Sequence, residues 1–172
     1  MPGQLTHVLR RIAVEGWIER LPGYGREFQP MLTSMESYQD SYRFRLTIEP
    51  AAVREPGFVL DREALETVRA QQQRLVDGEI RTIGNAQLYD LNSRFRETVM
   101  ACSNNTFFID SLRRIDRLRR LIEYRRTLQR DRAAEHVRIA DLLLARERAE
   151  ASAYLREHLS SVGQEKTGQS DG

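Results

Sequence analysis

One cysteine, one lysine and one tryptophan among 172 residues set the first limits on this chain. A lone Cys102 cannot form an internal disulfide or a cysteine zinc cluster, which fits a reducing compartment and makes the cytoplasm the expected location. Lys166 is the only lysine, so the 27 basic residues are almost all arginine, and 25 acidic residues bring the formal net charge down to +2. Bulk charge of that size does not mark a nucleic-acid binder, and any DNA contact has to come from a local patch. No apolar run approaches the ~20 residues that a membrane span needs. Met1-Pro2-Gly3-Gln4 also lacks the charged start and apolar stretch of a signal peptide. A soluble protein with no membrane partner is expected, large enough for one full-sized core and a small attachment.

What the chain does have is helical periodicity. Leu5, Val8, Leu9, Ile12 and Ala13 recur at helical spacing, and Gly16 stands where a helix stops. Trp17-Ile18-Glu19-Arg20 and Arg26-Glu27-Phe28-Gln29 then flank the turn-forming Leu21-Pro22-Gly23-Tyr24-Gly25, the pattern of a small hairpin. After Pro30 six helices are predicted: Met35 to Arg54, Asp61 to Asp77, Asn85 to about Ser103, Thr106 to Thr127, Asp131 to Ala145, and Glu147 to Ser161. Their expected inner faces include Phe44, Ile48, Ala51 and Ala52 on the first, and Leu65, Val68, Gln72 and Leu75 on the second. On the fifth the stripe reads Ala133, Val137, Ala140 and Leu144. Gly163 to Gly172 is polar and uncapped and reads as a disordered tail.

Four polar side chains interrupt these faces. Asn92 and Arg96 lie four apart on one helix and point the same way. His136 sits beside Ala133, Val137 and Ala140, and His158 beside Leu155 and Leu159, so both imidazoles are expected to face inward. Taken alone, each histidine reads as a satisfied core residue; together with an inward Asn-Arg pair they read as one internal polar site. Buried polar groups left unpaired cost about 1–3 kcal/mol each, so a bound anion is the expected partner.

The residues Leu91-Asn92-Ser93-Arg94-Phe95-Arg96, Cys102-Ser103-Asn104-Asn105, Glu135-His136 and Arg156-Glu157-His158-Leu159 resemble the ligand-binding FCD domain of GntR-type bacterial transcription regulators. So do Arg45-Leu46-Thr47-Ile48-Glu49-Pro50-Ala51-Ala52, and the likeness extends over about residues 35 to 162. The resemblance implies a homodimer that senses a small organic-acid effector. In many members an Asp or Asn, a His four positions on and two further His hold a divalent metal that helps bind the effector. Here Asn92, His136 and His158 match, but Arg96 replaces the first His. A guanidinium cannot ligate a metal, yet it is a fixed cation with a fork suited to a carboxylate. No cofactor or metal is therefore expected; were one held, its ligands would be Asn92, His136 and His158. The expected effector site is Arg45, Asn92, Arg96, His136 and His158, with Arg45 equally able to pair with Glu49 along its own helix.

Residues 5 to 29 resemble the end of a recognition helix running into the wing of a winged helix-turn-helix. That assigns operator-DNA contacts to Thr6, Arg10, Arg11, Tyr24, Gly25 and Arg26. Arg10, Arg11, Arg20 and Arg26 outnumber Glu15, Glu19 and Glu27 by only one charge, and Met1 to Gln4 adds no basic side chain, so weak DNA binding is expected. The arginines from Arg113 to Arg126 on the fourth helix read as a solvated or subunit-facing surface paired with Asp110, Asp116 and Glu123. An all-α fold follows, with residues 1–33 a partial winged helix-turn-helix carrying a β-hairpin wing. Residues 34–163 form an antiparallel six-helix, FCD-like effector-binding and dimerisation domain, and 164–172 a tail. A dimerising module without DNA binding of its own is an alternative. A histidine-dependent enzyme is not expected, for want of a neighbouring nucleophile or a carboxylate to orient the imidazole.

Overall fold

The computed structural model describes residues 6–8, 10, 18–21, 23, 25–28, 34–125 and 132–167. Residues 6–8 and 10 are helical. Strands β1 (Ile18–Leu21) and β2 (Gly25–Phe28) pair antiparallel, Ile18 opposite Phe28 and Leu21 opposite Gly25, with Gly23 at φ 83° in the turn between them. This is the hairpin that the turn residues predict, and the positive φ explains the glycine.

Helices α1 (Met35–Arg54), α2 (Arg62–Val76), α3 (Asn85–Ala101), α4 (Thr106–Arg125), α5 (Ala133–Leu144) and α6 (Arg148–Thr167) follow, with a single 3₁₀ turn at Glu79–Arg81. Two of their starts are capped by side chains. Ser34 Oγ accepts from the Ser37 amide at 3.1 Å and Asp61 Oδ1 from the Ala64 amide at 3.0 Å. Helix α2 stops at Gly78, whose φ of 124° excludes other residues. Helix α5 ends with Arg146 at φ 65°, the Glu147 amide donating to Leu142 O and the Arg146 amide to Leu143 O, a Schellman arrangement built on a non-glycine residue.

Packing pairs α1 with α6, α2 with α5, α3 with α4, and α2 with α3, closing an antiparallel bundle. The main core joins Val53, Leu65, Phe95, Val99, Ile139, Leu143, Leu155 and Leu159; Ala52, Met100 and Leu112 form a second cluster and Leu75, Leu88 and Ala133 a third. Among the described residues no helix is long and apolar enough to cross a membrane.

Three expectations are corrected. On α1 Phe44 and Ala51 face solvent, while Tyr38, Ser41, Tyr42, Arg45 and Glu49 turn inward beside Ala52 and Val53. On α5 the inner face is Ala133, His136, Ile139, Ala140, Leu142 and Leu143, with Val137 and Leu144 only half-buried. Finally, α6 continues through Gly163 to Thr167, into the expected tail.

Candidate functional site

The polar centre forms where α2, α3, α5 and α6 meet. Gln72, fully buried on the inner face of α2, organises it. Its Nε2 donates to Leu91 O at 3.4 Å and to Asn92 Oδ1 at 3.3 Å. Because the Leu91 carbonyl can only accept, the amide orientation is fixed, and Gln72 Oε1 faces His136 Nδ1 at 3.1 Å. His136 therefore carries its proton on Nδ1 and keeps a lone pair on Nε2. The ring stacks on Phe95 at 4.4 Å between centroids and stands 5.1 Å from the His158 ring. Burial first, then the charges of His158, Arg96, Arg45 and Arg132, hold its pKa well below the ordinary value, so it is neutral at neutral pH.

His158 Nδ1 is hydrogen-bonded to Glu135 Oε2, and Glu135 also accepts from Arg132 at 3.0 Å. Burial pushes the Glu135 carboxyl up, but the hydrogen bond and charge of His158, with Arg132, outweigh it and hold the group below its ordinary range. A carboxylate orienting an imidazole was not expected from the sequence, although Glu135 stands next to His136 in it.

Arg96 is half-buried and paired. Its Nη2 donates to Asp116 Oδ2 at 2.9 Å and to Ser93 Oγ at 3.0 Å, while its Nε is buried with no acceptor among the described residues. Asp116 and Glu123 are core groups, where surface pairing was expected. Burial raises the Asp116 pKa, but Arg96, Arg119 and Arg45 hold it below the ordinary carboxylate value. Arg119, 1% exposed, was missed among the surface arginines; its Nη2 donates to Glu123 Oε1 at 2.6 Å. The signal was present: Leu112, Asp116, Arg119 and Glu123 lie at i, i+4, i+7 and i+11, one face of α4. Of the remaining arginines, Arg113 pairs outside with Glu97 at 3.0 Å and Arg120 with Asp90 at 3.0 Å.

Arg45 closes on Glu49 within α1, both fully buried, and lies 5.2 Å from the Tyr42 ring centre. The structure thus brings Asn92 and His136 together through Gln72, and His136 against His158. Arg96 bears on His136 electrostatically, as does Arg45. Among the grooves, an open one of about 550 Å³ between α2, α3 and α4, lined by Asp61, Thr67, Arg94, Glu97 and Arg113, shares no residue with this centre.

The metal that the resemblance implies does not fit these donors. His136 and His158 supply two nitrogens, Asn92 Oδ1 already accepts from Gln72, and the remaining position is a guanidinium held by Asp116. A site with three nitrogen donors is not formed. Among the described residues no group of three or more His, Cys, Asp and Glu is arranged to hold a metal.

Of the expected DNA contacts, Thr6 and Arg10 are helical and exposed, and Gly25 and Arg26 lie on β2. Arg11 and Tyr24 fall outside the described residues.

Residues 40–161 match the FCD domain. Among solved structures the chain is similar to Lar, which controls expression of the Listeria monocytogenes agr system and mediates virulence. The TM-score is 0.64 and the identity 13%, over 96% of this chain and 79% of that one. It is also similar to a transcriptional regulator, a GntR family member, from Pseudomonas syringae pv. tomato str. DC3000, with a TM-score of 0.60 and 20% identity over 96% of this chain and 68% of that one. No protein of curated function matches the sequence. With most of the bundle from α1 to α6 covered by the match, the chain belongs to the FCD domain family, the regulatory and non-catalytic domain of GntR-family proteins.

Proposed function

We propose that this protein is a GntR-type transcription regulator whose helical domain senses a small carboxylate in the polar centre, and that it acts as a homodimer on operator DNA. One observation carries the ligand assignment: the Arg96 guanidinium, 11% exposed, is paired on one side, its Nε meets no acceptor among the described residues, and its charge acts on the inward His136. A ligand oxygen placed on that Nε satisfies a donor that otherwise costs about 1–3 kcal/mol. His136 Nε2 offers an acceptor to a hydroxyl of the same ligand, while Asn92 and His158 complete the polar lining. Arg45 is withdrawn into its pair with Glu49 and supports the centre by its charge.

The DNA assignment draws on the paired β1–β2 hairpin, the exposed Arg10, and the family, with Thr6, Arg11, Tyr24, Gly25 and Arg26 as the further contacts. Effector binding regulates DNA affinity only if it favours one arrangement of the two heads over another, which is what a dimer with a site in each bundle allows. A thermal-shift screen of small mono- and dicarboxylates, repeated with a chelator, tests the ligand class. Stabilisation by at least one acid that survives chelation is expected, and stabilisation lost on chelation would return the site to a metal.

A further inference from the structure

We propose that a row of side chains from Arg96 to Tyr38 couples the polar centre to the first turns of α1. Its purpose rests on the effector-sensing reading above; its physics does not. Asp116 accepts from Arg96 through Oδ2 at 2.9 Å, and its Oδ1 stands 3.5 Å from Arg119 Nη1. Arg119 Nη2 donates to Glu123 Oε1 at 2.6 Å. That oxygen also accepts from the Tyr42 hydroxyl at 3.3 Å and from the Tyr38 hydroxyl. Arg119 lies 5.3 Å and 4.3 Å from the two tyrosine ring centres, so it holds α1 through the rings as well. The row therefore passes from α3 through α4 to α1, and its members from Asp116 onward are buried. Tyr38 is the fourth residue of α1, the helix that follows the hairpin segment.

The contacts are unequal in a way that admits a second arrangement. Arg119 is close to Glu123 and distant from Asp116, while Arg96 and Arg119 each keep a buried Nε without an acceptor among the described residues. Among the described residues two guanidiniums thus leave one nitrogen each unsatisfied. When Arg96 gains another acceptor, Asp116 is released toward Arg119. Arg119 then divides itself between two carboxylates and slackens on Glu123, which is the group the α1 tyrosines hold. Coupling of this kind is reciprocal, so a change at Tyr38 must be felt at Arg96.

The experiment needs no effector. The Arg96 Nε–H resonance and the exchange of the amides of residues 38–42 are followed by NMR in the full chain. Tyr38→Phe removes one donor from Glu123 and keeps the ring. It should change the exchange rate of the Arg96 Nε–H on the order of fivefold or more, and Arg96→Lys should change exchange at residues 38–42 by a similar ratio. Ser152→Ala, which removes a buried bond to Pro50 O at the far end of α1, is the control and should alter neither. Tyr42→Phe gives the same reading in a milder form if Tyr38→Phe does not fold. An Arg119 Nε–H that responds while Arg96 stays silent would overturn the proposal, as would changes matched by the control, which signify a general loss of stability. Failure of every carboxylate to bind leaves this result intact, so the two readings fall separately.

Discussion

Arg96 shows how a residue's partners change a prediction. An unpaired buried cation can be removed without harm to a fold, but Arg96 is paired with Asp116. Its loss leaves Asp116 facing, among the described residues, the distant Nη1 of Arg119. Breaking a buried pair from one side costs about 3–5 kcal/mol, and the residual Arg119 contact reduces this, so we expect Arg96→Ala to destabilise the chain by about 2 kcal/mol in denaturant unfolding. Gln72→Leu should cost ~2 kcal/mol as well, because it orphans both His136 Nδ1 and Asn92 Oδ1. His136 sets the pH response. Its folded pKa lies well below the ordinary 6.5, so on acidification the unfolded chain binds the proton first. The stability it contributes is fully present above pH 6.5 and is lost as the pH falls through that value toward the folded one. Glu135, lowered from 4.5, acts with the same sign further into acid. Thermal melts should therefore decline from about pH 6.5 downward, and His136→Gln should flatten the upper part of that decline. A melting temperature constant from pH 7 to 5 would contradict the neutral, buried assignment.

At the scale of the helix, boundaries were legible and faces were less so. The 3.6-residue periodicity, Ser34, Asp61, Asp77-Gly78 and the Asn104-Asn105 turn mark the ends closely, because caps and stops are local chemistry. The inner face of α1 was misplaced and that of α4 incompletely read because charged side chains occupy them, and an apolar count assigns Arg119 and Glu123 to solvent. Gln72 was seen on its stripe but not given a role, since only the fold reveals that Asn92 and His136 lie on either side of it. Arg148 likewise acts across elements. It donates to Val53 O at 2.9 Å and to Glu55 O at 2.7 Å, closing the carboxyl end of α1 from α6, and lies 4.6 Å from the Phe58 ring centre. Arg148→Ala should cost ~2 kcal/mol by removing two charged hydrogen bonds to carbonyls. Arg146→Gly should do the reverse, stabilising by roughly 1 kcal/mol, because the left-handed φ of 65° strains any residue with a Cβ. Denaturant midpoints of the two variants check both signs.

For the whole molecule, the family was readable from short runs around Asn92, His136 and His158, while the quaternary and DNA-bound states are properties of more than one chain. Light scattering should give about twice the mass of one chain, since a two-fold operator needs a two-fold protein. A monomer at micromolar concentration would remove the regulatory scheme. Binding to operator-like duplex should be weak and should fall with salt, because the contacts of Arg10, Arg11 and Arg26 would be to phosphates. The most direct measurement is calorimetric titration of the strongest carboxylate from the thermal-shift screen into the wild-type, Arg96→Ala and His136→Ala proteins. We predict one site per chain in the wild type, retained in chelator, abolished by Arg96→Ala and weakened less by His136→Ala. Wild-type affinity in an Arg96→Ala protein that remains folded would contradict the account.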